Sequence, residues 1–190
     1  MVKSLEKGRS SEDPDVSVWV EQAVGGDKEA FGRLYDLYNE RVYRHVYYKI
    51  GNHAEAEDLA AQVWMNALRA IGRYKQLGRP FVVWLLSIAS NQVIDHYRAH
   101  KDRTSIDDPG LWLSDGTDLE AEAIQEYDNA ELREAILQLR EDHRKVVVLR
   151  FIDGLDYSDI AAIMQKKEGA VRVIQHRALL ALRKVLQAKR

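Results

Sequence analysis

Almost every stretch of this chain in which hydrophobic positions recur regularly has the period of a helix. Val16–Val24 reads as a short amphipathic helix after Pro14, stopped by Gly25-Gly26. Asp27 is placed to cap the next helix, in which Phe31, Leu34, Tyr35, Tyr38, Val42, Val46 and Ile50 share one side until Gly51 ends it. A third helix is predicted from about Ala54 to Ala70, with Leu59, Val63, Ala67 and Ala70 on one side. Gly72, Gly78 and Pro80 then bracket a loop, Arg73–Arg79. The fourth helix, Phe81 to about His100, is apolar nearly all round in its first half, which predicts the buried centre of a bundle.

The pattern breaks at Asp102. Thr104–Asp118 holds Pro109, Gly110, Gly116 and several aspartates with no periodicity, and reads as a flexible linker. Helical spacing resumes near Leu119 and continues through Ile136 and Leu139, and a further helix, His143–Ile152, stops at Asp153-Gly154. Asp156 then caps a short helix whose apolar face is Ile160, Ala161, Ile163 and Met164. After a break at Gln165–Lys167, a last helix carries Val171, Ala178, Leu182 and Val185 along one stripe. A short helix, a tight turn and a longer basic helix form the helix-turn-helix pattern. With Val171 facing inward, rotation by about 100° per residue turns Arg172, Val173, His176 and Arg177 outward. The predicted fold is all-α: a disordered tail (1–15), a first helical domain (16–101), an acidic linker (102–128) and a second helical domain (129–190).

Charge sharpens this division. The net charge is only −2. Residues 27–101 carry 11 basic and 8 acidic side chains, 102–128 carry 1 and 9, and 129–190 carry 13 and 8. Two basic blocks thus flank an acidic tether, and 166–190 holds 8 basic residues against Glu168 alone, a pattern that suits a polyanion. The absence of cysteine rules out disulfides and zinc-thiolate sites and suits a reducing cytoplasm. Met1–Asp15 has no apolar core to serve as a secretory signal, and the longest apolar run, Phe81–Leu86, is too short to cross a bilayer. There is no glycine-rich phosphate loop and no metal-ligand spacing among the six histidines, His96 and His100 reading as helix-surface residues, so neither an enzyme nor a cofactor is expected.

The C-terminal block resembles region 4 of the sigma-70 family of RNA polymerase sigma factors. The resemblance rests on Val146–Leu149, Arg150, Phe151, Asp153-Gly154-Leu155, Tyr157, Ile160-Ala161, Gly169–Arg172, His176–Ala178 and Ala181–Arg183. It implies a helix-turn-helix that reads the duplex −35 promoter element through Arg172, Val173, His176 and Arg177, with Lys167 in the turn. The chain departs from the family in that turn, where Gln165, Lys166 and Lys167 replace a usual Gly, apolar residue and Ser or Thr, and Gln at a left-handed position costs more than Gly.

Two stretches of the N-terminal block resemble sigma region 2. Ala56–Leu59, Trp64 and Ala67 are similar to the segment that docks on the polymerase; Asp58, Gln62 and Asn66, at i, i+4 and i+8, would share its polar face. Phe81, Trp84-Leu85, Ile88-Ala89, Asn91, Asp95 and Arg98 are similar to the helix that meets the −10 element. Asn91, Asp95 and Arg98 form a polar stripe there, and Asp95 and Arg98 can equally pair with each other at i, i+3. In the preceding loop, Arg73, Tyr74, Lys75 and Arg79 combine cations with an aromatic ring, a composition that suits an unpaired strand.

The short N-terminus and the lack of a domain between the blocks resemble the extracytoplasmic-function group. The resemblance implies a cytoplasmic initiation subunit whose partners are core RNA polymerase, promoter DNA and an anti-sigma factor, with no small-molecule substrate and no membrane insertion. The promoter elements it would bridge lie about two helical turns apart, about 70 Å, and a 27-residue linker could reach about 90 Å when extended. Two alternatives are a sigma-like module that sequesters an anti-sigma factor and a plain helix-turn-helix regulator. The first would be expected to add a receiver domain, whose strand–helix alternation does not follow Leu186; the second leaves the Phe81–Arg98 block unexplained.

Overall fold

The computed structural model describes residues 14–76, 78–101 and 123–188, so nearly all of the predicted tail and most of the predicted linker lie outside the described residues. Every regular element among the described residues is helical: α1 (Pro14–Val24), α2 (Lys28–Ile50), α3 (His53–Ala70), α4 (Phe81–Lys101), α5 (Ala123–Leu137), α6 (Glu141–Val147), α7 (Tyr157–Met164) and α8 (Glu168–Ala188). One tight 3₁₀ turn, Ile71–Arg73, follows α3, and a wider π-type stretch, Val148–Ile152, prolongs α6. α5 begins at Ala123, so the last residues assigned to the linker are helical.

Local chemistry sets the helix ends. The Asp27 carboxylate accepts from the amides of Glu29 (2.8 Å) and Ala30 (3.1 Å), and Asn52 accepts from Glu55 (3.1 Å). Asp156 accepts from the Asp159 amide at 2.9 Å, starting α7 where the sequence predicts. α7 ends on Gln165 in the left-handed region (φ 53°), the conformation in which glycine is usual.

Two apolar cores form. The first gathers α1, α2, α3 and one side of α4 around Leu34, Val42, Val46, Val63, Phe81 and Leu85. The second gathers α5–α8 around Ile136, Leu149, Ile160 and Val171, and it also takes in Val82, Val83 and Leu86 from α4. The all-round apolar character of α4 therefore has a more specific origin than burial in one bundle. The helix is shared, with Phe81, Leu85 and Ala89 facing one core and Val82, Val83 and Leu86 the other. Burying those three side chains contributes on the order of 5–8 kcal/mol to holding the halves together, an upper figure because the separated state covers some of this surface.

Candidate nucleic-acid interface

α8 lies on the second core through Val171, Ala178 and Leu182. That anchoring turns Arg172, Val173, His176 and Arg177 to solvent, and Lys167 is exposed just before the helix. The outward face predicted from the helical period is the face observed. Arg172 is not a loose side chain, because its guanidinium lies 3.8 Å from the centroid of the Tyr157 ring on α7. Tyr157 also carries Arg150 at 4.9 Å, so one ring steers two cations.

The loop before α4 keeps Arg73, Lys75 and Arg79 exposed, while Tyr74 is half-buried. The Tyr74 ring packs edge-on against Phe81 (5.5 Å) and Trp84 (5.0 Å), which fixes where it can present a face. Further along α4, Asn91, Asp95 and Arg98 are exposed, and Arg98 pairs with Asp95 at 3.6 Å. Both readings made from the sequence thus coexist: the stripe is open to solvent, and two of its members are partnered.

On α3, Asp58 and Gln62 face solvent. Asn66 differs from them. Its amide donates to Gln92 on α4 at 2.8 Å, so it ties α3 to α4 rather than completing a free polar row. The exposed neighbours in that region are instead Met65 and Leu68, which polar-face reasoning did not select. His96 is also committed within the molecule, 3.1 Å from Glu55.

The groups missed by sequence reasoning lie where the halves meet. His45 and Lys49 fall on the apolar stripe of α2 beside Val42, Val46 and Ile50, and they are 0% and 3% exposed. His45 Nδ1 donates to Asp153 Oδ2 at 2.6 Å, from α2 to the turn after the π-type stretch. Lys49 Nζ donates to His45 Nε2 at 2.7 Å and to Ser90 Oγ of α4 at 3.1 Å. An acceptor-only carboxylate on one ring nitrogen and an ammonium on the other require a neutral His45. Burial and the Lys49 charge both hold the His45 pKa below its ordinary value, against the opposing pull of Asp153. Burial also brings Lys49 down to about 7. Around this group, Arg41 donates to the Asp153 carbonyl and Arg144 donates to the Lys49 carbonyl (2.9 Å) and the Tyr97 hydroxyl (2.8 Å). The row Asp153–His45–Ser90 has the order of a hydrolytic triad, but Ser90 is 1% exposed and already accepts from Lys49, so its hydroxyl is not presented to a substrate. The sequence signal was available: two ionisable residues on an otherwise apolar helical stripe.

The same seam crosses the candidate strand-binding loop. Tyr74, Lys75, Arg79 and Trp84 line a cavity of about 180 Å³ whose other wall is Ala162 and Ile163 of α7. Arg79 lies 3.6 Å from Asp159, a largely buried carboxylate whose pKa is raised by burial and by Asp156.

No helix among the described residues is long and apolar enough to cross a membrane, and no three His, Asp or Glu side chains among them gather as a metal site. Sequence comparison matches residues 34–103 to Sigma-70 region 2 and residues 129–182 to Sigma-70, region 4. The chain is 37% identical over 169 residues to the ECF RNA polymerase sigma factor BldN of Streptomyces coelicolor, covering 88% of this chain and 64% of that protein. It is 32% identical over 178 residues to the ECF RNA polymerase sigma factor SigW of Bacillus subtilis, covering 88% of this chain and 95% of that one. Its fold matches CnrH, solved in complex with the cytosolic domain of CnrY, with a TM-score of 0.71 at 23% identity over 94% of this chain and all of that one. With both regions matched in order and relatives aligned along nearly nine-tenths of its length, the chain belongs to the extracytoplasmic-function group of the sigma-70 family.

Proposed function

We propose that this protein is a transcription initiation subunit that binds core RNA polymerase in the cytoplasm and directs it to a limited set of promoters, without catalysing a reaction itself. The observation that carries this reading is the pairing of two different nucleic-acid surfaces on one chain. α8 offers a rigid cationic face of the size that enters a major groove: Arg172, Val173, His176 and Arg177, with Lys167 at its head. The Arg73–Arg79 loop offers cations around an aromatic ring, with Asn91, Asp95 and Arg98 continuing along α4. Duplex contact at a −35 element suits the first and an unpaired −10 strand suits the second. Asp58 and Gln62, beside exposed Met65 and Leu68, supply a mixed polar and apolar face for the polymerase. Exposed Phe151, Leu179 and Leu180 on the second half are apolar surface that a protein partner such as an anti-sigma factor would cover.

The deciding experiment is run-off transcription with bacterial core polymerase on a library of promoter fragments. The protein should yield transcripts from a restricted subset, and Arg172→Ala together with Arg177→Ala should remove most of them. Failure to bind core, with tight binding of the free protein to one duplex operator, would replace this reading with a plain helix-turn-helix regulator. Capture of an anti-sigma factor without core binding would replace it with a sequestering module.

A further inference from the structure

We infer that the cavity between α2, α4 and α6 is a binding site for a small organic acid, a carboxylate carried on an aromatic ring or a short branched chain. Such a molecule is a bound ligand and not a substrate, and the inference stands apart from the functional reading above.

The cavity has a volume of about 230 Å³. An apolar cavity of about 150 Å³ is enough for benzene, so this one has room for a ring that bears a carboxylate. Its apolar wall is Val93, Ile94 and the Tyr97 ring, all on α4. The other walls are cationic: Lys49 comes from α2, and Arg144 and Lys145 come from α6. Among the described residues that line it, the one carboxylate is Glu141, exposed at the start of α6. An anion with an apolar body matches both kinds of wall, whereas a hydrocarbon or a bare inorganic ion matches one.

The cations lack opposite charge at contact distance. None of Lys49, Arg144 and Lys145 forms an ion pair among the described residues. Lys49 is 3% exposed, and its ammonium commits two of its three donors to neutral groups, His45 Nε2 (2.7 Å) and Ser90 Oγ (3.1 Å). Ser90 lines the same cavity. Arg144 gives its terminal nitrogens to the carbonyls of Lys49, Leu137 and Leu139 and to the Tyr97 hydroxyl, all neutral acceptors. Its buried Nε has no hydrogen-bond partner among the described residues. Uncompensated positive charge beside apolar walls costs free energy, and a carboxylate placed there offsets the cost. The effect is visible at Lys49, which burial, and then Lys145 and Arg144, hold down to about 7 against the pull of Asp153 and Glu141. A carboxylate among the three cations opposes that shift, so the amine takes up a proton as the ligand enters.

Isothermal titration of the full-length protein with benzoate and with 3-methylbutanoate tests the site. At pH 7 at least one should bind with a Kd of about 0.1–1 mM, the range for a ligand of this size. Benzamide, of similar shape without the charge, should bind at least about tenfold more weakly than benzoate. Affinity should fall roughly tenfold from pH 7 to pH 9, and titrations at pH 8 in buffers of different ionisation enthalpy should register uptake of up to about one proton. His45 is held below its ordinary pKa and Tyr97 above it, both chiefly by burial, so neither changes charge in this window. Lys49→Met should remove most of the uptake, leaving only the share of Lys145, whose pKa burial also lowers. Ile94→Trp, at a half-buried position on the apolar wall, keeps every charge and fills the volume, and should lose binding with an unchanged helical signal. Should that variant lose helicity, Lys145→Gln should weaken benzoate binding roughly tenfold. Absence of saturable binding of both acids up to about 20 mM at pH 7 overturns the proposal. So does equal benzoate binding by wild type and a folded Ile94→Trp protein, and so does inorganic phosphate bound as tightly as the acids, which leaves the apolar wall without a role.

Discussion

Replacing Lys49 with methionine tests the buried seam through pH. Lys49 Nζ sits between His45 Nε2 and Ser90 Oγ, and burial lowers its pKa from the ordinary 10.5 to about 7; Asp153 and Glu141 oppose the shift, and Lys145 and Arg144 add to it. In the unfolded chain the amine keeps its proton up to about 10.5. Between those values the unfolded state binds more protons, so stability rises with pH, with a slope approaching about 1.4 kcal/mol per unit. From pH 7 to 9 the wild-type protein should gain on the order of 2–3 kcal/mol. His45 acts in the same direction lower down: its pKa is depressed below 6.5, so its contribution is complete above that value and is lost as pH falls towards the folded pKa. Tyr43 and Tyr97, whose pKa values are raised chiefly by burial, oppose the trend only near pH 10 and above, outside the window. Methionine keeps most of the length and removes the titration. Its curve over pH 7–9 should flatten, or turn downward as His45 becomes free to take a proton beside Asp153. Urea denaturation at pH 7, 8 and 9 with the m-value held constant measures both slopes. Parallel rising curves for wild type and Lys49→Met would refute the assignment of the slope to this amine.

Other outcomes follow from single contacts. Arg172→Ala and Arg177→Ala should each weaken −35 duplex binding by roughly 1–3 kcal/mol where a base is read bidentately, while a phosphate-only arginine lowers the salt slope by about one; titrations at several salt concentrations distinguish the two. Tyr74→Ala should spare closed-complex footprints and reduce permanganate reactivity of unpaired thymines, because the ring is held on Phe81 and Trp84 at the loop. Gln165→Gly should raise the melting midpoint, by roughly 0.5–1 kcal/mol of stability, since the residue adopts φ 53° at the end of α7. Gly51→Ala should cost about 2 kcal/mol: φ is +82° and the new Cβ would stand 2.5 Å from Leu137 Cδ1. Leu137→Ala in the same chain should recover part of the loss, read as coupling in a double-mutant cycle.

The helices and their order were legible because each carries an apolar stripe, and α2, α3 and α7 also have a capping side chain at their start, Asp27, Asn52 and Asp156. Val16–Val24, Phe81 to His100 and the Asp156-capped helix all lie where the periodicity puts them. The outward face of α8 was equally legible, since Val171 and Ala178 leave one rotational choice. What periodicity could not supply was the partner of each face. It marked α4 as buried all round without indicating that its two sides serve different cores. It placed Asn66 on a polar row, although the hydrogen bond to Gln92 depends on how α3 crosses α4. His45 and Lys49 stood on the α2 stripe in plain sight, but their partners Asp153 and Ser90 are 108 and 45 residues from His45. Such long-range pairings follow from tertiary packing, which local spacing does not encode.

The shared helix α4 also carries a thermal signature. Any separation of the halves must wet Val82, Val83 and Leu86 together with the residues that cover them. Hydrating apolar surface raises the heat capacity, so the free energy of separation is curved in temperature rather than linear. Cooling weakens the apolar grip just as heating lets disorder overcome it, and closure is favoured most strongly between these extremes. A single helix facing two ways thereby gives the packing of the two halves a temperature of greatest stability, with a loss on either side of it.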